Sequence, residues 1–202
     1  DFVPDKKVLS LDRFFLVRGW FLAVNFIFFG FCWGVLSNYL AIYGKEVLNI
    51  SAGTGIYFLI LSIGLILSRV QGAKALREGR LVMNALEGML LSTVGYTIFI
   101  AWPSQISYYL SALLIGLGNG HMWPAFQNMF LNLAPNSQRG TANSTLLTSW
   151  DLGMGVGMLV GGSIAEHFGY FTAFWSGVAF WSVGIIFFFS FAKKHYIKYK
   201  LV

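Results

Sequence analysis

The sequence predicts an all-α membrane protein of six transmembrane helices, arranged as two inverted three-helix repeats. Three observations predict it. Apolar residues make up 56% of the 202 residues and charged residues 11%, against about 25% charged in an ordinary soluble domain. The apolar residues gather into six runs, each close to the roughly 20 residues that cross a bilayer. Of the 14 Lys and Arg residues, all but Lys45 fall in the two ends of the chain or around alternate gaps between those runs. Basic residues are held in cytoplasmic loops, so both ends of this stretch are expected on the cytoplasmic side.

A polar arm, 1–18, comes first. It carries Lys6, Lys7, Arg13 and Arg18 and reads as a cytoplasmic linker inside a longer protein. Run one, 19–43, is followed by a polar gap with Lys45 beside Glu46. Run two, 54–70, gives way to the basic stretch Arg69, Lys74, Arg77 and Arg80. Run three, 81–101, is cut from run four, 105–131, by Pro103, a residue that breaks helices. After Pro135 and Arg139 comes run five, 143–165, which Asn143 or Ser144 could cap. Run six, 170–192, ends in a basic tail, 193–202, whose Lys193, Lys194, Lys198 and Lys200 suit contact with anionic lipid. The transmembrane domain is thus expected over 19–192. Barrel strands would be about 10 residues long and alternate in polarity, unlike these runs.

Several function classes fall away. The net charge of +6 is accounted for by the loops, so nucleic acid is not an expected partner. Cys32 stands alone inside an apolar run, which leaves no disulfide within the chain and no metal site built from Cys pairs. There is no phosphate-binding Gly-x-x-x-x-Gly-Lys loop, so ATP does not drive the chain directly. Glu166 and His167 are merely adjacent, with no His-Glu-x-x-His pattern. We expect neither enzyme activity nor a cofactor.

An internal echo divides the chain. Gly72-x-x-Ala75-x-x-x-Gly79 follows run two, and Gly162-x-x-Ala165-x-x-x-Gly169 follows run five. Three spans separate the copies, so they fall on opposite membrane faces. The first copy is basic and the second carries Glu166 without Lys or Arg. Inverted three-plus-three repeats of this kind build transporter halves.

At these residues the chain resembles the C-terminal half, helices seven to twelve, of a major facilitator superfamily transporter. The stretch 69–80 is similar to the family's loop pattern Gly-x-x-Ala-Asp-Arg-x-Gly-Arg, with Leu76 in the Asp slot. Gly116, Gly118, Gly120, Pro124, Ala134–Pro135 and Arg139–Gly140 resemble the tenth helix and its loop. Asp151 and Gly153, with Gly155, Gly157, Gly161 and Gly162, resemble the eleventh. Met158 stands where the antiporter motif of the other half has Pro. Within the superfamily the resemblance is to proton-coupled exporters of drugs and metabolites. It implies alternating-access efflux of a small organic solute from the cell (inner) membrane, with an N-terminal six-helix half, protons and the lipid bilayer as partners. Proton-driven uptake, or a non-transporting scaffold or receptor, are the other readings.

Candidate functional residues follow from polarity at membrane depth. Asp151 lies two to three turns into run five. A carboxylate there costs roughly 2.5–3.5 kcal/mol on insertion scales, and such residues face a cavity or a partner. It suits a proton carrier, or a hydrogen bond to a neighbouring helix. His121, beside Trp123 and Pro124, suits proton relay or core packing. Asn119 and Gln127 flank it and would line a cavity or bridge helices. Asn25, Phe29 and Trp33 recur at helical spacing, with Asn38 beyond. The resemblance puts their helix beside the central cavity, and packing is the alternative. Glu87 is expected to be structural. Arg69, Lys74, Arg77, Arg80 and Arg139 either set topology or form a cytoplasmic gate. Gly153, Gly157 and Gly161 make a small-residue seam for close helix packing, or a hinge.

Overall fold

A computed structural model describes residues 14–201. Lys6, Lys7, Arg13 and most of the predicted arm lie outside the described residues. The chain folds into α1 (Trp20–Glu46), α2 (Gly55–Arg77), α3 (Leu81–Ala101), α4 (Gln105–Leu133), α5 (Arg139–Phe168) and α6 (Tyr170–Phe187). A π-helical turn, Phe188–Ala192, carries α6 into α7 (Lys193–Tyr199). By length and apolarity alone, four stretches can cross a membrane: Val17–Glu46, Gly55–Arg77, Leu81–Ala101 and Tyr170–Tyr199.

The other two long helices, α4 and α5, are more polar for a packing reason. α4 is enclosed by α2 and α3 and touches α1 and α5, so its side chains meet protein and need little affinity for lipid. α5 spends one face on glycines against α1 and carries Ser144, Thr148 and Asp151 on another.

The six helices pack as two exchanged triads. α1 lies chiefly against α5 and α6, and α4 lies against α2 and α3. The first helix of each repeat therefore packs on the second and third helices of the other repeat, an arrangement that swaps onto itself when the repeats are exchanged. Glycine makes both seams close. On α1, a methyl at Gly30 or Gly34 would strike the backbone of Trp150 or Met154, and on α5 one at Gly153 or Gly157 would strike Ile27 or Phe31. The α2–α4 seam repeats the device, with Gly64 against Leu113 and Leu117 and Gly116 against Leu61.

The echoed motif ends the second helix of each repeat. Gly79 (φ 71°) follows α2 and Gly169 (φ 85°) follows α5, a backbone region that glycine enters freely. The Arg80 N–H donates to the Ala75 carbonyl at 2.9 Å, and the Gly169 N–H donates to the Ala165 carbonyl at 2.9 Å. The repeated Ala and Gly are thus parts of one helix stop. At the start of α4, Ser104 and Ser107 form a reciprocal capping box.

One boundary differs from expectation. α5 begins at Arg139, and no side chain caps it. Asn143 is already inside the helix, where its Oδ1 accepts from Gln127 Nε2 at 3.0 Å. Aromatic rings fill the centre. Phe29 packs on Trp181 with ring centroids 4.5 Å apart, and Phe26 on Phe126 at 4.8 Å.

Candidate functional site

Three groups of polar residues sit at membrane depth, on different sides of the helices. The first joins α3 to α4. His121 is buried, and Asn84 grips it twice. Asn84 Nδ2 donates to the His121 carbonyl at 2.8 Å, and Asn84 Oδ1 lies 2.9 Å from His121 Nδ1. Gly72 of α2 admits the ring, since a methyl there would meet His121 Nδ1. In front of His121 lies a groove of about 470 Å³ between α2 and α3, lined by Gln71, Glu87, Leu90, Leu91 and Val94. His121 and Trp123 are two residues apart, about 200° around the helix, so the histidine does not share the face of Trp123.

The second group joins α4 to α1 and α5. Trp123 packs edge-on against Trp150 with centroids 5.2 Å apart, and Phe26 touches both rings. One turn on, Gln127 holds Asn143 of α5. Trp33 is half-buried against the same core.

The third group is the outward face of α5. Ser144, Thr148, Asp151 and Gly155 are all exposed on the six-helix unit, and their spacing puts them on one helical face. Asp151 is the thirteenth of the 30 residues of α5, roughly 18 Å from the helix start at 1.5 Å per residue. Among the described residues it has no hydrogen-bond or ion-pair partner.

The candidate pathway residues therefore do not converge inside the six helices. Asn25 is buried and turned to α6, where its Nδ2 donates to the Gly184 carbonyl at 2.6 Å. Phe29 follows it into the core. Asn119 is half-buried and accepts from Ser92 of α3 at 3.4 Å. Asn38 is exposed towards the far end of α1. His121 belongs to the α2–α3 side and Asp151 to the open face of α5. Asn84 was not among the sequence candidates, because nothing local distinguishes it from other polar residues in apolar runs.

The basic stretch has an acid after all. Leu76 stands in the family's Asp position, and Glu78 pairs with Arg80 at 2.6 Å and with Lys74 at 3.9 Å. Arg69, Arg77 and Arg139 are exposed. Gly153 and Gly157 lie on the backbone of α1, and Gly161 on the Val35 side chain.

A model of the Major Facilitator Superfamily matches residues 85–200. No curated protein sequence matches the chain. Among solved structures, the fold is similar to the in meso crystal structure of the POT family transporter PepTSo, with a TM-score of 0.72 and 17% identity. The likeness covers 87% of this chain and 37% of that one, so the chain spans well under half of its length.

Proposed function

The chain belongs to the Major Facilitator Superfamily, a family of membrane transporters, and from that membership we propose that it works in secondary active transport of a small organic solute by alternating access, outward and coupled to protons. The observation that carries the reading is the open face of α5. A carboxylate midway along a membrane helix, with no partner in its own six helices, demands a polar neighbour or water. A second six-helix half set against α5 would supply one, and the gap between the halves would be the solute path. Ser144 and Thr148 add hydroxyls to that face, and Asp151 would load and release the proton. Trp123, Trp150 and Gln127 stand behind it. The likeness to exporters supports the outward direction and the cell-membrane location, and the bias of the basic residues supports cytoplasmic ends. Arg80 and Lys74, held by Glu78, would brace the cytoplasmic end, with Arg69, Arg77 and Arg139 around it.

The test is proton flux. The complete protein is reconstituted into vesicles enclosing a pH-sensitive dye and challenged with a panel of small organic solutes. Some solute should move protons, and the sign of the internal pH change gives exchange or co-transport. Asp151→Asn keeps the shape of the side chain but cannot carry a proton, and should abolish that flux while leaving the protein folded. Solute-dependent proton flux that survives unchanged in Asp151→Asn would remove Asp151 from the proposal. Solute movement without any proton flux in the native protein would remove the coupling.

A further inference from the structure

At the end of the molecule where the basic loops gather, α3 and α7 enclose a cleft that neither segment forms alone. Its volume is about 380 Å³. Three cations rim it: Arg80 at the start of α3, and Lys193 and Lys200 from the tail. Its floor is apolar, with Met83, Leu86 and Phe189. The cations come from segments more than a hundred residues apart, so the sequence shows only two unrelated basic stretches.

The cleft is held in shape by bonds from α4. Asn132 Nδ2 donates to the Tyr196 hydroxyl at 3.0 Å, and the Leu201 N–H donates to the Asn132 carbonyl at 2.8 Å. Tyr196 is 5% exposed, so the tail is anchored as it leaves the last span. The π turn at Phe188–Ala192 shifts the helical phase just before this anchor, as π turns often do beside binding sites. Glu78 already engages Arg80. Lys193 lies over the Phe189 ring at 5.5 Å, and among the described residues neither Lys193 nor Lys200 has a carboxylate within ion-pair distance.

We propose that this cleft binds the phosphate of an anionic phospholipid in the cytoplasmic leaflet, with an acyl chain laid along Met83, Leu86 and Phe189. The charge selects the ligand. Two unpaired ammonium groups and a guanidinium with donors to spare match a phosphate. The apolar floor selects the lipid over a free phosphate, which would leave that surface in water. The position agrees, because α3 starts and the last span ends at this rim, where headgroups lie. Basic pockets between helices on the cytoplasmic side hold anionic headgroups by the same physics. The inference does not depend on what the protein transports.

The experiment uses the complete protein in nanodiscs of phosphatidylcholine doped with phosphatidylglycerol, and reads the bound phosphatidylglycerol retained on the protein. Arg80→Gln, Lys193→Gln and Lys200→Gln together remove the pocket charge. Arg77→Gln, Lys194→Gln and Lys198→Gln remove the same charge from the same rim outside the cleft. Each pocket cation removed should lower affinity about fivefold, the equivalent of roughly 1 kcal/mol per basic residue, and the outside set should lose far less. Lys200→Gln alone, at an exposed position, serves if the triple variant does not fold, and should show its own fivefold loss. Inorganic phosphate at millimolar concentration should not compete. Equal losses in the two triple variants, an unchanged affinity in Lys200→Gln, or competition by free phosphate would each overturn the proposal. So would phosphatidylglycerol excluded because a soluble protein partner holds the same cleft.

Discussion

His121 and Asn84 act as one unit. The asparagine spans the histidine's ring and backbone with two contacts of 2.9 and 2.8 Å. Beside it, Pro124 lacks the N–H that would bond the Gly120 carbonyl and so weakens this turn of α4. Asn84→Leu should leave the buried ring nitrogen without its partner, a loss of about 1–3 kcal/mol, read as a lower melting temperature in detergent. In a His121→Leu background the same change should cost much less, since contacting residues are coupled. Additive losses would mean that the two residues are independent. Residue-scale legibility was uneven, and the pair shows why. A histidine in an apolar run stands out, whereas its partner 37 positions away is found only when α3 and α4 meet. Asn25 is the reverse case. Its spacing with Phe29 and Trp33 was legible, but α1 is apolar on all sides, so no stripe told the lipid side from the packed side. Its hydrogen bond to the Gly184 carbonyl turns it towards α6.

Between elements, close approach is set by glycine. A methyl group at Gly157 would meet the Phe31 carbonyl oxygen, a backbone atom that cannot rotate away, whereas one at Gly155 would meet nothing within 4 Å. Gly157→Ala should therefore force α5 from α1 and destabilise by about 1–3 kcal/mol, the range for overpacking. Gly155→Ala should be neutral or slightly stabilising, because alanine is the better helix former. Thermal unfolding of the two variants side by side checks both, and equal melting temperatures would show that the seam tolerates a methyl. The six spans and their order were legible because the bilayer imposes one length on every crossing. The seam glycines of α5 were legible by their four-residue spacing. Their partner helix was not, since the four-residue spacing of Gly30 and Gly34 on α1 does not say which helix that face meets. Nor was the polar α4 marked as interior, because enclosure by neighbours leaves no trace in a single helix. The echo at 72–79 and 162–169 was legible as a repeat, and its cause, a glycine helix stop, became clear from the backbone angles.

Over the whole molecule, contacts between chain-distant segments sort into two ends. At one end the Leu16 N–H donates to Thr145 Oγ1 at 2.8 Å, Leu201 binds Asn132, and Arg80 lines a cleft with Lys193 and Lys200. At the other, the Tyr170 hydroxyl donates to Glu46 at 3.1 Å and Gln105 Nε2 donates to the Leu48 carbonyl at 3.1 Å. Of the basic residues described, only Lys45 lies at the second end. Charge bias on short loops sets orientation, so the first end is expected in the cytoplasm. Single cysteines test this in a Cys32→Ser background, which removes the one native thiol, itself buried. Cysteine at Lys74 or Lys194 should react with a membrane-impermeant maleimide only after the cytoplasmic side is opened. Cysteine at Lys45 should react in intact cells. All three positions are exposed, so failure to label reports sidedness and not burial. Labelling of Lys74→Cys and Lys194→Cys from outside, with Lys45→Cys protected, would invert the molecule. Opposite sidedness for Lys74→Cys and Lys194→Cys would be more damaging. Four spans, α3 to α6, separate those positions, so such a result would require that one of the polar helices, α4 or α5, does not cross.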